Sequence, residues 1–245
     1  MKPPPYHWWR TVFYLIPVIA AATIVLGVVS LVAGLFDRTG RAPHRCARWW
    51  SRWILWTTGV RVTVSGAPLP PARTSAIYVA NHASFYDIPI LFSTVPAELR
   101  IMAKATLGRV PFIGWHLQRS GHVLVDRARP GASIFKKMQK LASQESSAIV
   151  FAEGSRTRDG RVGRFKGGIF LLAIETGLPI VPISISGTRA IMPKNRLMTC
   201  PGDVRVVVHD PIATSGMNRD AARELADRVR EIVASGVSPV EAPAS

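Results

Sequence analysis

Cysteine is scarce in this sequence, and no other pattern of metal ligands replaces it. Cys46 and Cys200 are the two cysteines among 245 residues, and neither belongs to a CxxC pair or a Cys/His cluster. A disulfide framework and a zinc site are therefore not indicated, and a reducing compartment fits the chain best. His116 and His122 have only Asp126 as a nearby carboxylate, so we interpret both histidines as structural.

The motifs of two large enzyme classes are also missing. The chain contains no G-x-S-x-G elbow of serine hydrolases, and neither the G-x-x-x-x-G-K-[ST] nor the G-x-G-x-x-G loop of nucleotide-binding enzymes. Acidic residues are few, since 15 Asp and Glu oppose 31 Lys and Arg to give a net charge of +16. This balance favours anionic partners such as phospholipid headgroups, phosphorylated metabolites or nucleic acid.

One long uncharged run lies near the start of the chain. Residues 13–36 would form a helix of about 36 Å, long enough to cross a hydrocarbon core. Trp8 and Trp9 precede the run and several arginines follow it, which predicts that its basic end is cytoplasmic. The run exceeds a signal-peptide core, so we expect a retained anchor rather than a cleaved signal. Because Pro17 lies near its start, a full span and a two-helix hairpin in one leaflet both remain open.

A second helix, over residues 44–59, completes a predicted anchor of residues 1–60. Trp49, Trp53 and Trp56 share one stripe of this helix, and arginines occupy the neighbouring stripe. The tryptophans could lie among lipid carbonyls or could pack against the domain that follows. The sequence leaves both interpretations open.

The pattern after residue 60 predicts an α/β domain over residues 61–236. Short β-rich runs alternate with helical ones, and residues 237–245 are predicted to be disordered. The predicted helices cover residues 87–93, 131–144, 168–176 and 220–235. The predicted strands are RVTVSG, SAIYVA, GHVLVD, SAIVFA, PIVPISIS and DVRVVVH.

Two groups of polar residues follow predicted strands. His82 and Asp87 come directly after SAIYVA, where Asp87 can bond one ring nitrogen, fix the tautomer and leave the other nitrogen as a base. Ser84 and Asp87 also have capping-box spacing, so Asp87 could instead serve only backbone amides. FAEGSR follows SAIVFA; there Gly154 permits close backbone approach, and Arg156 offers a fork to an oxyanion such as a phosphate. The basic residues after Arg156 are consistent with a solvated loop.

Together these residues resemble the glycerolipid acyltransferase family over about residues 75–185. FAEGSR corresponds to the family's F-P-E-G-T-R, with Ala152 and Ser155 as departures that remove no proposed catalytic group. The other matches are Asn81, His82 and Asp87 in N-H-x-x-x-x-D; Gly121 and Arg127 in GHVLVDR; Val181 and Pro182 in the V-P pair; and Lys104, Pro111 and Gly114 in the intervening segment.

The resemblance implies a single mixed-sheet α/β domain behind a membrane-embedded two-helix anchor. It also implies transfer of a fatty acyl group from acyl-CoA or acyl carrier protein to the sn-2 hydroxyl of 1-acylglycerol-3-phosphate, without a metal or other cofactor. His82 and Asp87 would be the catalytic dyad, on the cytoplasmic face of the cell membrane. The implied substrate-binding residues are Asn81, Lys104, Arg127, Glu153, Gly154, Ser155 and Arg156.

Several alternatives stay open at this point. Glycerol-3-phosphate, a lyso-aminolipid or another lysophospholipid could be the acceptor, and the donor could be either thioester. A non-catalytic, membrane-tethered basic module would explain the charge equally well. It would leave the four ordered motifs unexplained. Nucleic acid is disfavoured as a partner, because six of the seven tryptophans precede residue 60, away from the basic loops where bases would stack.

Overall fold

The fold is that of a computed structural model, which describes residues 5–37, 39–111, 113–125 and 133–238. The strands are β1 (Val60–Gly66), β2 (Ile77–Ala80), β3 (Glu98–Lys104), β4 (Val123–Val125), β5 (Ser146–Phe151), β6 (Ile180–Ser186) and β7 (Gly202–Val208). They form one sheet in the order β1-β7-β6-β2-β5-β3-β4. β6 and β7 are antiparallel and the other neighbouring pairs are parallel. The predicted α/β fold with a single mixed sheet is confirmed.

Helices cover both faces of this sheet and also form the N-terminal segment that is predicted to be a membrane anchor, which we call the anchor. They are α1 (Pro5–Trp9), α2 (Ile16–Phe36), α3 (Arg41–Thr58), α4 (Asp87–Thr94), α5 (Ile113–Arg119), α6 (Ser133–Ser143), α7 (Gly168–Thr176), α8 (Thr188–Ile191) and α9 (Ala222–Gly236). A 3₁₀ turn, Ala105–Arg109, joins β3 to the segment before α5. The start of the predicted helix 131–144 and most of the predicted C-terminal tail lie outside the described residues.

The central strand β2 divides the hydrophobic core into two parts. Tyr78 and Ala80 pack into the cluster that contains residues of α3 and α4, whereas Ile77 and Val79 pack into the cluster that contains residues of α6, α7 and α9. All four side chains are fully buried. Both faces of β2 are covered, which explains why its sequence is continuously apolar rather than alternating.

The strand β3 was not predicted, and the expectation of six strands was wrong by one. Arg100 is the third residue of this strand, and a charged residue is unusual within a buried strand. In the structure the Arg100 side chain is only 1% exposed. Its guanidinium donates to the carbonyl oxygens of Thr39 and Leu99, each at 3.1 Å, and lies 3.5 Å from a carboxylate oxygen of Glu98. These acceptors make burial of the charge tolerable, and sequence periodicity does not reveal them.

The anchor is a helical hairpin. Its first arm is helical from Pro5 to Phe36 and includes a π-helical stretch, Arg10–Leu15. Pro17 does not break this arm; the widened π turn immediately before it accommodates a residue that lacks an N–H and clashes with the preceding turn. By length and composition, Tyr6–Phe36 is the one described helix that could cross a membrane. The chain then turns and returns as α3.

The apolar arm is tied to the α/β domain near both of its ends. Near its start, the backbone N–H of Thr199 donates to the hydroxyl of Thr11 at 2.9 Å. Farther along, the hydroxyl of Ser30 lies 2.6 Å from Nδ1 of His116. These contacts are about 28 Å apart along the helix axis. The arm therefore lies along the domain rather than projecting away from it.

The tryptophans of α3 combine the two predicted environments. Trp49 and Trp56 are 67% and 79% exposed, respectively. Trp53, on the same stripe, packs partly against the core cluster on its side of the sheet, as does Trp50. The helix thus places some indole rings on the protein and others outward.

Candidate active site

The two predicted groups of polar residues meet at one edge of the sheet. β2 and β5 are parallel neighbours, and Ala80 pairs with Phe151 at their carboxyl ends. The segment containing His82 and the segment containing Glu153 therefore leave the sheet side by side. Carboxyl ends of parallel strands are where α/β proteins usually place their ligands.

Asp87 holds His82 and the intervening turn with one oxygen. Its Oδ2 lies 2.7 Å from Nδ1 of His82 and also accepts the backbone N–H groups of Ala83 and Ser84, at 2.8 and 2.9 Å. The histidine contact and the capping contacts, considered as alternatives from the sequence, are thus both present. Because a carboxylate only accepts, this contact requires a proton on Nδ1, and in that tautomer of the neutral ring Nε2 is the nitrogen with a free lone pair. Nε2 has no hydrogen-bond partner among the described residues.

The ring of His82 is also held on its face. It stacks on Phe151 with the ring centroids 4.1 Å apart and the planes 17° from parallel. The side chain is 15% exposed, so the imidazole is mostly enclosed but still reachable. Phe151 was not among the predicted site residues, although it is the first residue of the FAEGSR segment.

Glu153 faces the protein rather than an open pocket. One carboxylate oxygen accepts the backbone N–H of His82 at 2.8 Å, and the other accepts that of Gly163 at 3.0 Å. Burial raises the pKa of this carboxyl group, while the two N–H donors act in the opposite direction. Glu153 thus bridges the histidine segment and the basic loop, and its predicted contact with substrate stays a prediction.

Arg156 presents its charge beside the histidine. Its guanidinium carbon lies 3.7 Å from the ring centroid of Phe85, a cation–π contact. The described residues give this guanidinium no carboxylate partner within 4 Å. Lys194 donates to the carbonyl oxygen of Arg156 at 2.7 Å, and the N–H of Thr157 donates to that of His82 at 2.8 Å. These two hydrogen bonds hold the loop in place. The guanidinium of Arg156 can therefore bind an anion.

Gly154 and Ser155 complete this turn. Gly154 adopts φ +78°, and a Cβ there would lie 2.9 Å from Cε of Lys166. A side chain would therefore be strained in both conformation and space. Ser155 is exposed, so its hydroxyl lies at the surface of the loop.

Several known proteins are similar to this chain in sequence. The acyltransferase family model matches residues 61–186, just over half of the chain. The chain belongs to the acyltransferase family. It is 33% identical over 232 residues to the chloroplastic 1-acyl-sn-glycerol-3-phosphate acyltransferase BAT2 of Brassica napus, covering 91% of this chain and 65% of that protein. The human 1-acyl-sn-glycerol-3-phosphate acyltransferase alpha is 33% identical over 180 residues, covering 72% and 64%.

A solved structure extends the similarity to the whole described fold. The crystal structure of the 1-acyl-sn-glycerophosphate acyltransferase PlsC from Thermotoga maritima matches with a TM-score of 0.76 at 26% identity, covering 96% of this chain and 98% of that chain. The chain spans slightly less than two thirds of the length of the two curated relatives named above. The resemblance inferred from the motifs is confirmed at the level of the family.

Asn81 joins two strands. Its amide nitrogen donates to the carbonyl of Ile185 at 2.9 Å, and its amide oxygen accepts the N–H of the same residue at 2.8 Å. The side chain is buried. Asn81 therefore links the end of β2 to β6, and its predicted contact with substrate stays a prediction.

Lys104 lies farther along the same edge. It ends β3, which is separated from β2 by β5, and it is exposed. With Arg109 it lines a pocket of about 160 Å³. Lys104 pairs with Val125 in the sheet. Arg127 lies outside the described residues, so its predicted contact with substrate stays a prediction.

A large apolar cavity that the motifs did not reveal lies between the anchor and the α/β domain. Its volume is about 310 Å³, and we call it the anchor cavity. The anchor contributes Leu26 and Trp50 to its walls, and the domain contributes Phe85, Ile88 and Phe92. Because Phe85 also contacts Arg156, the cavity reaches the active-site edge. Its walls come from helices far apart in sequence, so periodicity could not assemble it.

Two histidines at the wall of this cavity are neutral. Burial lowers the pKa of His116 to about 4, assisted by the charge of Arg100. Burial also lowers the pKa of His122 well below its usual range. Nδ1 of His122 accepts the backbone N–H of Ile101 at 2.9 Å. Within the described residues no cluster suited to a metal ion is present, and these contacts agree with a structural role.

Proposed function

We propose that this chain transfers a fatty acyl group from a thioester to the sn-2 hydroxyl of 1-acylglycerol-3-phosphate and thereby forms phosphatidic acid. The observation that carries the proposal is the 2.7 Å contact between His82 Nδ1 and Asp87 Oδ2. Among the described residues, Nε2 of His82 has no hydrogen-bond partner and Arg156 has no carboxylate partner, only the ring of Phe85. The names of the family's similar proteins support this choice of acceptor.

The chemistry needs one general base. Nε2 of His82 takes the proton of the acceptor hydroxyl as its oxygen attacks the thioester carbonyl carbon. Asp87 steadies the imidazolium that forms, and the tetrahedral intermediate then collapses by breaking the carbon–sulfur bond. The departing thiolate receives the proton, so the products are an ester and a thiol. Every step uses side chains of the chain and the thioester co-substrate.

The acceptor phosphate would meet Arg156. A guanidinium can bind two phosphate oxygens at once, and its contact with Phe85 leaves its edge available for them. Lys104 and Arg127 are the further cations that we assign to the acceptor. Glycerol-3-phosphate, lyso-aminolipids and other lysophospholipids are the competing acceptors. They differ from 1-acylglycerol-3-phosphate in acylation or headgroup, so a comparison of rates separates them.

We place the domain on the cytoplasmic face of the cell membrane with the anchor in one leaflet. Thr11 and Ser30 contact the same α/β domain near opposite ends of the apolar arm. A helix that crossed both leaflets would carry the domain into the bilayer with it. The exposed Trp49 and Trp56 suit the headgroup layer. These observations favour the hairpin over the full span.

The anchor cavity is the site that we assign to a fatty acyl chain. An apolar chain left in water would lose about 0.8 kcal/mol per methylene relative to burial. A cavity walled by both anchor and domain offers such burial, and its lining residue Phe85 lies three residues after His82 in the chain. The thioester donor would be acyl-CoA or acyl carrier protein, whose negative charges suit the exposed basic residues Arg158, Arg161 and Arg164.

The test is acyl transfer by detergent-purified full-length protein. Labelled palmitoyl-CoA and palmitoyl carrier protein are offered with 1-acylglycerol-3-phosphate, glycerol-3-phosphate, and neutral or amino lysolipids. We expect phosphatidic acid as the main product and loss of about 10² to 10⁴ in rate for His82→Ala. Thermal unfolding of the variant serves as the folding control.

Two outcomes would contradict the proposal. Product from another acceptor at a higher rate would move the assignment to that acceptor. No product with either donor, combined with binding to anionic vesicles that survives His82→Ala, would favour the non-catalytic binding module.

A further inference from the structure

The α/β domain carries its own group of exposed apolar side chains. Leu107, Val110, Ile113 and Trp115 lie within nine residues and are 41%, 39%, 43% and 51% exposed. We call these four side chains the rim patch. Isolated exposed apolar residues are ordinary, but four large ones in one short segment usually mark an interaction surface.

The rim patch is presented by a compact backbone. A Cβ on Gly114 would lie only 2.4 Å from the carbonyl oxygen of Gly108, so the first turn of α5 packs directly on the 3₁₀ turn. The side-chain amide of Gln118 donates to the same carbonyl at 2.7 Å. The backbone that carries the exposed side chains is therefore closely packed at these points, and little backbone ordering is needed on binding.

The surroundings of the rim patch are basic. No Asp or Glu occurs between Glu98 and Asp126, whereas Lys104, Arg109 and Arg119 are exposed in this stretch. Apolar side chains flanked by cations fit the boundary of an anionic bilayer, where hydrocarbon and phosphate lie within a few ångströms. A protein partner of neutral or basic surface would not use these charges.

The rim patch is continuous with the anchor. α5 packs against α2 through His116 and Ser30, and a Cβ on Gly34 would lie 3.1 Å from Cγ of Arg119. Leu107 and Ile113 also line the anchor cavity. They are both exposed and part of its wall, so the cavity opens at the rim patch.

We propose that the rim patch is a second membrane-contacting element, which presses the mouth of the anchor cavity onto the bilayer. The proposal rests on the proposed membrane location of this acyltransferase. Its occupant is the headgroup and upper acyl layer of an anionic bilayer. A lipid chain could then pass between bilayer and cavity without crossing water.

The test measures depth in the bilayer at three positions. An environment-sensitive fluorescent amino acid is encoded at Val110, at Phe36 in the anchor, and at Val64. Val64 is 47% exposed and lies in β1, which runs away from the active-site edge because it is antiparallel to β2. Each protein is reconstituted into phosphatidylethanolamine–phosphatidylglycerol vesicles that contain spin-labelled lipid as quencher. We expect at least about twofold quenching at Val110 and Phe36 and none at Val64.

The outcomes separate this proposal from the membrane location itself. Quenching at Phe36 without quenching at Val110 overturns the second contact and leaves the anchor. An absence of quenching at Phe36 contradicts the proposed membrane location itself, on which the second contact depends. A spectral change at Val110 that follows protein concentration in detergent, rather than lipid, assigns the patch to a second copy of the chain and also overturns the proposal.

A matched pair of substitutions gives a functional readout. Val110→Asp should lower turnover of vesicle-borne acceptor by about tenfold, and turnover of a short-chain acceptor dissolved as monomers by less than about twofold. Val64→Asp introduces the same charge at similar exposure and should affect neither. Equal effects of the two substitutions would contradict a role for the rim patch at the membrane.

Discussion

Three of the six histidines lie in two regions of this molecule, and their neighbours give them different properties. His82, at the active-site edge, contacts a carboxylate oxygen at 2.7 Å and stacks on Phe151. His116 and His122, at the anchor cavity, have no carboxylate within hydrogen-bond distance among the described residues. Burial lowers the pKa of both.

The difference shows what makes a histidine useful as a base. A carboxylate that fixes the tautomer also stabilises the imidazolium, so His82 can accept a proton during a reaction. An imidazole buried without a carboxylate resists protonation and acts as a neutral packing group. Four substitutions test this comparison. Two change the catalytic side, one changes its connection to the basic loop, and one changes the anchor cavity.

The largest effect is expected from Asp87→Asn. The asparagine retains the shape of the side chain, but it no longer stabilises the imidazolium and permits the wrong tautomer of His82. We expect turnover to fall by about 10² to 10⁴. The measurement is the initial rate at saturating acceptor and donor, with the exposed Asp210→Asn as the matched control. A fall in turnover of less than threefold would mean that the carboxylate of Asp87 is not what distinguishes His82 from the buried histidines.

Arg156→Met should produce the next largest effect. Loss of the guanidinium removes a charge-assisted pair with the acceptor phosphate, so KM for 1-acylglycerol-3-phosphate should rise about 10- to 100-fold. A monoacylglycerol acceptor, which lacks the phosphate, should be affected far less. Arg164→Met removes the same charge from an exposed position of the basic loop and serves as the control. Equal KM changes for both variants would indicate a general charge effect.

The sequence predicted the contact between His82 and Asp87 but not the contacts around it. His82 and Asp87 are five residues apart on one turn, so their contact is local and could be inferred from spacing. The roles of Asn81 and Glu153 could not, because their partners Ile185 and Gly163 are distant in the chain. Hydrogen bonds to backbone groups leave no signature in the partner's residue type.

The same limit applies to the fold. The alternation of strands and helices indicated an α/β domain, which the structure confirms. β3 escaped prediction because the acceptors of Arg100 include Thr39, which lies in the anchor turn. The anchor cavity could not be predicted for the same reason. Its walls come from helices that are distant in sequence and meet only in the folded protein.

A smaller effect on turnover is expected from Glu153→Gln. The amide can accept one of the two backbone N–H groups but presents an N–H₂ to the other, so the connection between His82 and Gly163 is weakened. We expect kcat to fall about tenfold while KM for the acceptor changes less than about threefold. Glu231→Gln, at an exposed position of α9, is the control. A larger change in KM than in kcat would instead support the predicted contact between Glu153 and the acceptor.

His116→Gln should affect turnover least and the pH dependence of stability most. The folded protein keeps His116 neutral down to pH about 4, whereas the unfolded chain binds a proton below about pH 6.5. The free energy of unfolding is therefore highest above pH 6.5 and falls as the pH is lowered toward 4, because the unfolded state takes up the extra proton. Glutamine keeps a hydrogen bond to Ser30 but does not titrate.

The thermal midpoint of wild type and His116→Gln is measured in detergent at pH 7.5, 6 and 5. We expect the variant to have the lower midpoint at pH 7.5. The difference should be smallest at pH 5, because acidification destabilises wild type through His116 and does not destabilise the variant in this way. His122 remains in the variant, and so the acid sensitivity should become shallower rather than vanish. Parallel curves would mean that His116 titrates alike in the folded and unfolded states, and the contrast with His82 would then rest on geometry alone.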